Sequence, residues 1–556
     1  MAPRQEMVFL PLGGVGEIGM NLGLYGFGPP RDRKWLMVDC GVSFGSADTH
    51  PGIDLVFPDI RFIESERDNL VGIVLTHAHE DHFGALADLW PRLRAKVYAT
   101  PFTAALLQAK LAEENGAPRI PVEVVDLGAT VGIDCFEVEF VTMTHSIPEP
   151  NALVIRTDAG TVFHTADWKL DSDPVIGGVT DVARISKIGE EGVDAIVCDS
   201  TNVLREGVSP GEGDVGRALR PLIAEAPQRV AVTAFASNVA RLKSVALAAA
   251  EADRKTVLVG RAMRRAIAVA RETGYLDDVP QFLGEEAFGY MPRDKVVLLC
   301  TGSQGEPRAA LTRIARDDHR QIAFSPGDRL IYSARVIPGN DRPVGAVLNA
   351  LIRQGIEVIT DRTHLVHVSG HPRRGELQQM YQWLKPKAAV PVHGEAMHLH
   401  EHAAFARENG IANVVEIYNG DIVRLAPAPA AVVDDVPAGR LVKDGMLVLD
   451  EENRALRDRR RLAYAGMVTV SVAVDQDGEL AGDPEIAIAG VPGETTEGGP
   501  VEAQVLDAVE DLFDKLPRAR RRSTDALREA LTRAARTTVE RAWGKRPLCQ
   551  VHVIEV

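Results

Sequence analysis

The feature that most constrains this chain is a run of metal-binding residue types directly after a short apolar segment. Val71–Leu75 is predicted as a buried strand, and Thr76-His77-Ala78-His79-Glu80-Asp81-His82 follows it before a helix near Phe83. His77 and His79 can project to the same side of an extended segment, whereas the adjacent Asp81 and His82 must point in different directions and can serve a second ion. Because burying this much polar material without a cation would be costly, the motif predicts a metal site.

Three further candidate ligands also stand at predicted strand ends. They are His145 in VTMTHS, Asp167 in FHTADWKLD and His393 in AAVPVHGE. All the donors are nitrogen or oxygen atoms, a set that suits Zn²⁺ or Mn²⁺ and offers nothing to thiophilic metals. The sequence therefore predicts that these residues join the first four.

A glycine motif near the start of the chain suggests a different kind of site, one for a dinucleotide. Gly14, Gly16 and Gly19 match G-x-G-x-x-G, and Asp39 follows at the spacing of a dinucleotide-binding fingerprint. Such a site needs a helix after the glycines to receive the pyrophosphate. The intervening MNLGLYGFGPPRDRK is too rich in glycine and proline for a helix of three turns. We therefore expect strand, turn and strand here, with Asp39 supporting a neighbouring loop.

The rhythm of predicted elements divides the chain. Residues 1–200 contain mostly strands, whereas 212–360 alternate apolar strands with helices, a pattern typical of a parallel sheet covered on both faces. Residues 360–423 are again predicted as short strands, with histidines at their ends. The Ala- and Pro-rich segment 425–439 is predicted to begin a linker region, and a last domain follows with strands near Met467–Val474, Glu485–Ala489 and Cys549–Glu555.

Composition narrows the class of protein further. The net charge of −16 argues against a non-specific wrapper of nucleic acid, although a local basic groove or a metal site remains compatible with it. Five widely spaced cysteines without a C-x-x-C are expected to be reduced and buried, as in a cytoplasmic protein. No apolar run reaches the roughly 20 residues of a membrane helix, and the N-terminus does not read as a secretory signal.

The ligand candidates together resemble the metallo-β-lactamase superfamily. Asp39 is similar to its first motif. The resemblance implies that one metal takes His77, His79 and His145, that a second takes Asp81, His82 and His393, and that Asp167 bridges the two. The implied cofactors are thus two divalent ions per chain, Zn or Mn.

The long insertion between Asp167 and His393 resembles the β-CASP domain of nucleic-acid-processing members. Asp199 in CDSTN, His371 in VSGHPRRGE and His393 are similar to the three additional motifs of that subgroup, whose RNA-acting members carry histidine at the last one. The motifs FASNVAR, CTGSQGEP, VIPGN, HVSGH and PVHGE in combination resemble the ribonuclease J family of bacteria.

This resemblance implies an α/β fold: a metallo-β-lactamase αββα sandwich with an inserted doubly wound β-CASP domain and a small α+β C-terminal domain. The expected boundaries are 1–210 and 361–445 for the two parts of the sandwich and 211–360 for the insertion. A linker is expected at 446–465 and the C-terminal domain at 466–556. The segments 205–215 and 355–363 are predicted as hinges.

Asp81, His371 and Asp199 are predicted as catalytic residues. His371 would donate a proton to the leaving oxygen while Asp199 orients its ring and favours the protonated form. The alternative is that His371 caps the helix near Arg373. Turns at Ser237 and Asn238, and at Ser369, Gly370 and His371, are predicted to bind RNA phosphate, although ordinary helix capping explains each serine equally well. His364, His367, His398, His400 and His402 are expected to be surface or packing residues.

The leading functional hypothesis is a cytoplasmic ribonuclease of RNA decay and maturation. It would act in the 5′-to-3′ direction with a preference for 5′-monophosphate ends, and also internally. A small-molecule metallo-hydrolase, such as a thioesterase or lactamase, would not need the large insertion. A catalytically inactive RNA-binding scaffold would not need all seven ligand positions filled. The expected partners are RNA, other copies of the chain in a homodimer or homotetramer, and other RNA-decay proteins, but no membrane. The segment 515–546, with eleven Lys and Arg against three Asp and Glu, could touch RNA or a partner, or form a solvated helix face.

Overall fold

The computed structural model of the chain describes residues 5–45, 49–337, 339–494 and 499–556. The chain divides into two compact units, the first comprising 1–43 and 57–439 and the second comprising 44–56 and 440–556. It passes between the units near the strands Ser43–Phe44 and Leu55–Pro58. Within the described ranges, no helix is long and apolar enough to cross a membrane.

Two sheets packed face to face form the core of the first unit. In spatial order the larger sheet contains Ala431–Asp435, Asp421–Ala426, Glu6–Gly13, Leu22–Gly28, Lys34–Val38, Leu70–Val74, Val97–Ala99 and Val122–Val124. The smaller contains Thr130–Ile133, Phe136–Thr142, Asn151–Thr157, Gly160–His164, Ala195–Asp199, Ala388–Val392 and Asn413–Val414. Alternate residues of both sheets, such as Tyr25, Leu36, Phe140 and Leu153, share one buried apolar cluster.

Helices complete the predicted αββα sandwich. The other face of the smaller sheet packs on Val182–Glu191 and Arg374–Leu384 through residues such as Ile185 and Leu377. The remaining helices of this part are Arg61–Ser65, Glu80–Phe83, Leu86–Leu93, Pro101–Glu113 and Ala396–Glu408, with a 3₁₀ turn at Arg67–Asn69. The glycine motif is followed by the strand Leu22–Gly28 and not by a helix, as the sequence predicts.

A five-stranded parallel sheet is inserted into this sandwich. Its strands, in spatial order, are Lys255–Val259, Val296–Cys300, Val230–Thr233, Arg329–Tyr332 and Glu357–Ile359. Intervening helices are Glu212–Ala224, Val239–Glu251, Arg261–Glu272, Ala310–Ala315 and Asp341–Arg353, with 3₁₀ turns at Glu285–Tyr290 and Arg293–Lys295. The central strands are buried along their length, which explains their uninterrupted apolar sequences.

The second unit has its own core. Met467–Val474 pairs antiparallel with Glu485–Ala489 and parallel with Leu548–Glu555. Its inward-facing valines at 468, 470, 472 and 474 pack on the helices Val501–Lys515 and Thr524–Trp543. Arg518–Arg521 is a short helix between these two.

The prediction of a linker at 446–465 is wrong. Leu447–Asp450 is a strand paired with Arg440–Asp444, and Arg454–Ala465 is a helix that buries Leu456. The helix was missed because its arginine-rich sequence leaves only a narrow apolar stripe. The Ala- and Pro-rich segment 425–439 likewise belongs to the larger sheet, since Ala431–Asp435 pairs with Asp421–Ala426.

Candidate active site

All seven predicted ligands lie just after strand ends, five of them in loops and Asp81 and His82 in a short helix. The histidine-rich loop leaves the buried strand Leu70–Val74 and runs into the short helix Glu80–Phe83. His145, Asp167 and His393 follow the strands Phe136–Thr142, Gly160–His164 and Ala388–Val392. Because the two sheets pack face to face, these loops meet above the shared core.

Four of these residues form a first donor group. His79 Nδ1 lies 3.1 Å from both His77 Nε2 and His145 Nε2. Asp167 Oδ2 lies 4.0 Å from His77 Nε2 and 3.7 Å from His145 Nε2. The four ligand atoms are mutually within 4.8 Å, a spacing at which one ion can be held.

A second donor group shares Asp167 with the first. His82 Nε2 lies 3.2 Å from Asp167 Oδ2 and 3.7 Å from Asp81 Oδ2. His393 Nε2 lies 3.5 Å from Asp167 Oδ1 and 4.0 Å from Asp81 Oδ2. The structure thus brings all seven predicted residues into two adjacent groups joined by one carboxylate.

The donor atoms fit divalent ions. Ligand atoms at about 2.0–2.1 Å from a tetrahedral Zn²⁺ lie about 3.3 Å from one another, close to the separations found here. Asp167 Oδ1 is buried and has no hydrogen-bond partner among the residues that the structure describes. Burial lowers the pKa of His79 to about 4 and that of His77 well below its usual value, so both rings are neutral and able to bind a metal.

A surrounding layer of hydrogen bonds fixes the ligand rings. Asp39 accepts from the backbone N–H of Thr76 at 2.8 Å and binds His82 Nδ1 at 2.7 Å, which confirms its predicted role as a loop support. Gly370 O accepts from His145 Nδ1 at 2.6 Å. Such partners set the tautomer and direction of a ligand histidine.

Asn21 was not predicted as a member of this layer. Its Oδ1 lies 2.8 Å from His393 Nδ1, and its Nδ2 donates to Asp81 O at 3.1 Å. Asn21 and His393 are 372 positions apart, so no spacing in the sequence predicts their contact. The glycines near this loop are the one local indication that two loops approach closely here. A Cβ on Gly41 would lie 1.7 Å from Asp81 O, so only glycine permits this close approach of the two loops.

Asp199 and His371 form a separate pair beside the donor groups. Asp199 Oδ2 lies 2.8 Å from His371 Nδ1, while its Oδ1 accepts from the N–H and hydroxyl of Thr201 at 2.8 and 2.7 Å. His371 Nδ1 is 3.9 Å from Asp167 Oδ2. Burial opposes protonation of the ring, but the carboxylates of Asp199 and Asp167 outweigh it and raise the pKa of His371 to about 9.

The helix-cap alternative for His371 does not match the geometry. The helix Arg374–Leu384 is preceded by Arg373, and its first turn is capped by Glu376 through the Arg373 N–H. His371 points instead to Asp199. Together with His393 these two residues also form a group whose ligand atoms lie within 4.8 Å, so the pair stands at the edge of the ligand cluster.

The two predicted phosphate-binding turns have different hydrogen-bond partners. Ser369 Oγ accepts from Asn202 Nδ2 at 2.8 Å, next to the Gly370 carbonyl that holds His145. Asn238 caps the helix Val239–Glu251 by accepting from the Arg241 N–H at 3.0 Å, with Ser237 in the same turn. Capping is therefore the role that the structure gives Asn238.

The prediction for the later histidines needs one addition. His398, His400 and His402 lie on the helix Ala396–Glu408, and the His400 side chain is 77% exposed. His402 is fully buried and binds Ser200 and Tyr381 through its two ring nitrogens. No local sequence pattern indicates these contacts, because the partners of His402 are 202 and 21 residues away.

Family models identify the class of protein that this fold and these donor groups define. Residues 25–260 match the metallo-beta-lactamase superfamily, and 355–417 match the Zn-dependent metallo-hydrolase RNA specificity domain. The parallel-sheet insertion matches the ribonuclease J beta-CASP domain over 227–351, and 454–556 match the ribonuclease J C-terminal domain. The chain is a metallo-hydrolase of the β-CASP type.

Full-length relatives then narrow the class to one family. The chain is 53% identical over 556 residues to ribonuclease J of Sinorhizobium meliloti, a match covering 100% of this chain and 98% of the relative. It is 39% identical over 553 residues to ribonuclease J of Mycolicibacterium smegmatis, covering 98% and 96%. The chain belongs to the ribonuclease J family and is a metal-dependent ribonuclease.

Solved structures support the fold alone. A crystal structure of a protein of unknown function from Enterococcus faecalis V583 has a TM-score of 0.52 at 14% identity. The match covers 75% of this chain and 100% of that one.

Proposed function

We propose that this chain degrades RNA in the 5′-to-3′ direction from 5′-monophosphate ends, and also cuts internally, with two divalent ions, Zn or Mn. The observation that carries the proposal is the pair of donor groups joined by Asp167, with the Asp199–His371 pair beside them. His77, His79 and His145 would hold one ion, Asp81, His82 and His393 the other, and Asp167 both.

The ions would activate water for in-line attack on phosphorus and offset charge on the non-bridging phosphate oxygens. The chain's own residues then need to hold the ligand rings rigidly. Asp39, Asn21 and the Gly370 carbonyl do so from outside the ligand cluster.

His371 supplies the proton in this proposal. Each cut from the 5′ end must leave a new 5′-monophosphate for the next, so the bond that breaks joins phosphorus to O3′. The departing O3′ is strongly basic and needs a proton. His371 holds one near neutral pH because Asp199 binds its Nδ1, which leaves Nε2 free to donate.

The 5′ preference would come from a phosphate pocket between the turn at Ser369 and Gly370 and the turn at Ser237 and Asn238. Arg335 donates to Asn202 at 2.9 Å, and Asn202 binds Ser369, so a guanidinium lies close to the first of these turns. A monophosphate is smaller and less charged than a triphosphate. A closed pocket would therefore favour it, and internal cutting would be slower.

Competition among otherwise identical RNAs bearing 5′-monophosphate, triphosphate or hydroxyl ends tests the proposal. We expect the monophosphate RNA to be degraded first, with mononucleotides as early products. Circular RNA should be cut more slowly than the linear monophosphate form. Equal rates on all of the linear RNAs would mean that no terminal pocket exists and that the chain is an endonuclease.

We further propose that the enzyme acts in the cytoplasm in RNA decay and maturation. It would work as a homodimer or homotetramer and together with other RNA-decay proteins. Its full-length match to family members supports this setting. Light scattering of the purified protein tests the oligomer, since a monomer at working concentration would contradict it.

A further inference from the structure

His402, a histidine that the proposed mechanism does not use, lies at the centre of a buried polar network. Its Nδ1 lies 2.8 Å from Ser200 Oγ and its Nε2 lies 2.5 Å from Tyr381 Oη. His402 and Ser200 are fully buried, and Tyr381 is 4% exposed. Polar side chains at this depth normally have specific partners, and both ring nitrogens have one here.

The three members of this network follow three site residues along the chain. Ser200 comes directly after Asp199. Tyr381 lies on the helix Arg374–Leu384, which begins three residues after His371, and His402 lies on Ala396–Glu408, which begins three residues after His393. One imidazole therefore joins the segments that follow the aspartate, the proton donor and a metal ligand.

His402 works in its neutral form. Burial lowers its pKa to about 4, and burial also raises the pKa of Tyr381 well above its usual value. A neutral imidazole has one donor and one acceptor nitrogen, and hydroxyl groups can fill either role. Both neutral tautomers can therefore satisfy Ser200 and Tyr381, so the network is stable without any charge.

The segments held by His402 meet again at the site. The Thr201 hydroxyl contacts Asp199 Oδ1 at 2.7 Å and the His393 carbonyl at 3.1 Å. A Cβ on Gly394 would lie 3.2 Å from Ser200 Cβ, so these loops approach closely. A shift of Ser200 would therefore move Asp199, and a shift of the Tyr381 helix would move the His371 loop.

We propose that His402 is a positioning residue that holds Asp199 and His371 in line for proton delivery to O3′. The inference rests on the proposed role of His371 as proton donor. It extends that role to a residue that touches neither metal nor substrate. A loss of geometry at the pair should slow only those cuts that need a proton on the leaving group.

The experiment compares two RNAs with 5′-monophosphate ends. One carries an ordinary linkage at the first scissile position, and the other carries a 3′-bridging sulfur, whose thiolate leaves without a proton. The variants are His402→Phe, Tyr381→Phe and Ser200→Ala, with His400→Ala as the matched control on the same helix. Metal content and melting temperature are measured for each protein.

We expect His402→Phe to lower kcat on ordinary RNA about 10-fold, a fraction of the roughly 10²-fold or greater effect of losing a general acid. KM and metal content should stay unchanged, and the rate on the sulfur-bridged RNA should fall less than about 3-fold. Tyr381→Phe and Ser200→Ala keep the imidazole. They should show the same selectivity for ordinary RNA, with a smaller loss of rate. His400→Ala should behave as the unaltered enzyme.

Equal losses on both RNAs, or loss of metal from all three network variants, would overturn the role of His402. If His402→Phe fails to fold, Tyr381→Phe and Ser200→Ala decide the question by the same ratio. His371→Ala, run in parallel, separates this inference from the proposal beneath it. If His371→Ala itself loses both rates equally, the proton-donor assignment fails; if it is selective and the network variants are not, only the positioning role fails.

Discussion

At the residue scale, the hydrogen bonds behind the ligands set the direction of each ring. Asp39 is buried, accepts from Thr76 and fixes His82 through Nδ1. Changing Asp39→Asn keeps the shape but removes the charge that orients this ring. We expect metal affinity to fall about 10–100-fold.

A competition assay with a metal chelator measures this change. Asp68→Asn is the control, because its carboxylate is 99% exposed. Metal affinity in Asp39→Asn equal to that of the control would show that Asp39 only shapes the loop.

The proton donor has its own residue-scale test. His371→Ala should keep its full metal content while cleavage of ordinary RNA falls by roughly 10²-fold or more, as expected for loss of a general acid. Elemental analysis and single-turnover digestion on the same preparation measure both quantities. Loss of one ion would instead make His371 a ligand, a role that its group with Asp199 and His393 would allow.

The site residues differ in how well the sequence alone predicts them. The ligands from His77 to His82 lie within six consecutive residues, so their spacing and the apolar strand before them predict the site. Asn21, the Gly370 carbonyl and His402 act across 372, 225 and 202 residues. Only the packing of the two sheets and their helices brings such pairs together, and a backbone carbonyl has no residue type to detect.

At the scale of elements, one buried side chain contacts both places where the chain connects the sandwich to the β-CASP insertion. Arg241, on the helix Val239–Glu251, pairs with Glu212 at 2.6 Å and donates to Val366 O at 2.8 Å. The first segment predicted as a hinge, 205–215, is therefore held by an ion pair with Arg241, which also donates to Val366, three residues beyond the second predicted hinge at 355–363. Removing one partner of a buried pair leaves an uncompensated charge.

Arg241→Met should destabilise the protein by about 3–5 kcal/mol, because Glu212 is left buried and unpaired. Chemical unfolding followed by fluorescence measures this loss. Adding Glu212→Gln should recover part of it. Arg217→Met is the control, since that pair is exposed and is expected to contribute about 0–1 kcal/mol. An Arg241→Met protein as stable as the control would show that these connections are held elsewhere.

Strands with uninterrupted apolar sequences are predicted correctly, whereas elements that bury few residues are not. The strands Val230–Thr233 and Val296–Cys300 are buried along their whole length and read clearly as parallel strands. Ala431–Asp435 has a mostly exposed edge-strand sequence, and Arg454–Ala465 buries only two residues. Their structure depends on tertiary contacts, so composition alone suggested a linker.

At the scale of the whole molecule, the metal ions should stabilise the fold as well as the reaction. Five ligand histidines and two carboxylates share a small volume. Three of the histidines, His77, His82 and His393, are buried together with Asp167, which is unfavourable without cations. Ions that bind only the folded state stabilise it by about 2.7 kcal/mol at a free concentration of 100 Kd. Chelation should therefore lower the melting temperature reversibly.

Thermal unfolding of chelated and of Zn²⁺- or Mn²⁺-reloaded protein measures this effect. The His77→Ala/His82→Ala double variant removes a ligand from each donor group and should melt at one temperature with or without metal. Identical melting of the unaltered protein in both states would contradict a site that binds tightly in the folded chain.

The charge distribution leads to a prediction about RNA binding. The chain carries a net charge of −16, and its most basic segment, 515–546, is largely neutralised within its own unit. Seven of the eleven cations there, at 515, 518, 521, 522, 528, 533 and 546, form ion pairs with Asp or Glu. This pattern favours a solvated helix face over an RNA-binding surface.

RNA binding should then depend on a few cations near the active site, such as Arg335, and only weakly on the basic segment. For single-stranded RNA each lost phosphate contact reduces the slope of log K against log salt by about 0.7. Arg335→Gln should lower the slope by about that amount, because the Arg335 guanidinium binds Asn202, which in turn binds the turn at Ser369. Arg528→Gln/Arg533→Gln should leave it unchanged, since both cations already have carboxylate partners. Fluorescence anisotropy across a salt series with catalysis blocked by chelation gives the slopes, and a loss of about 1.4 in the double variant would place RNA on the second unit instead.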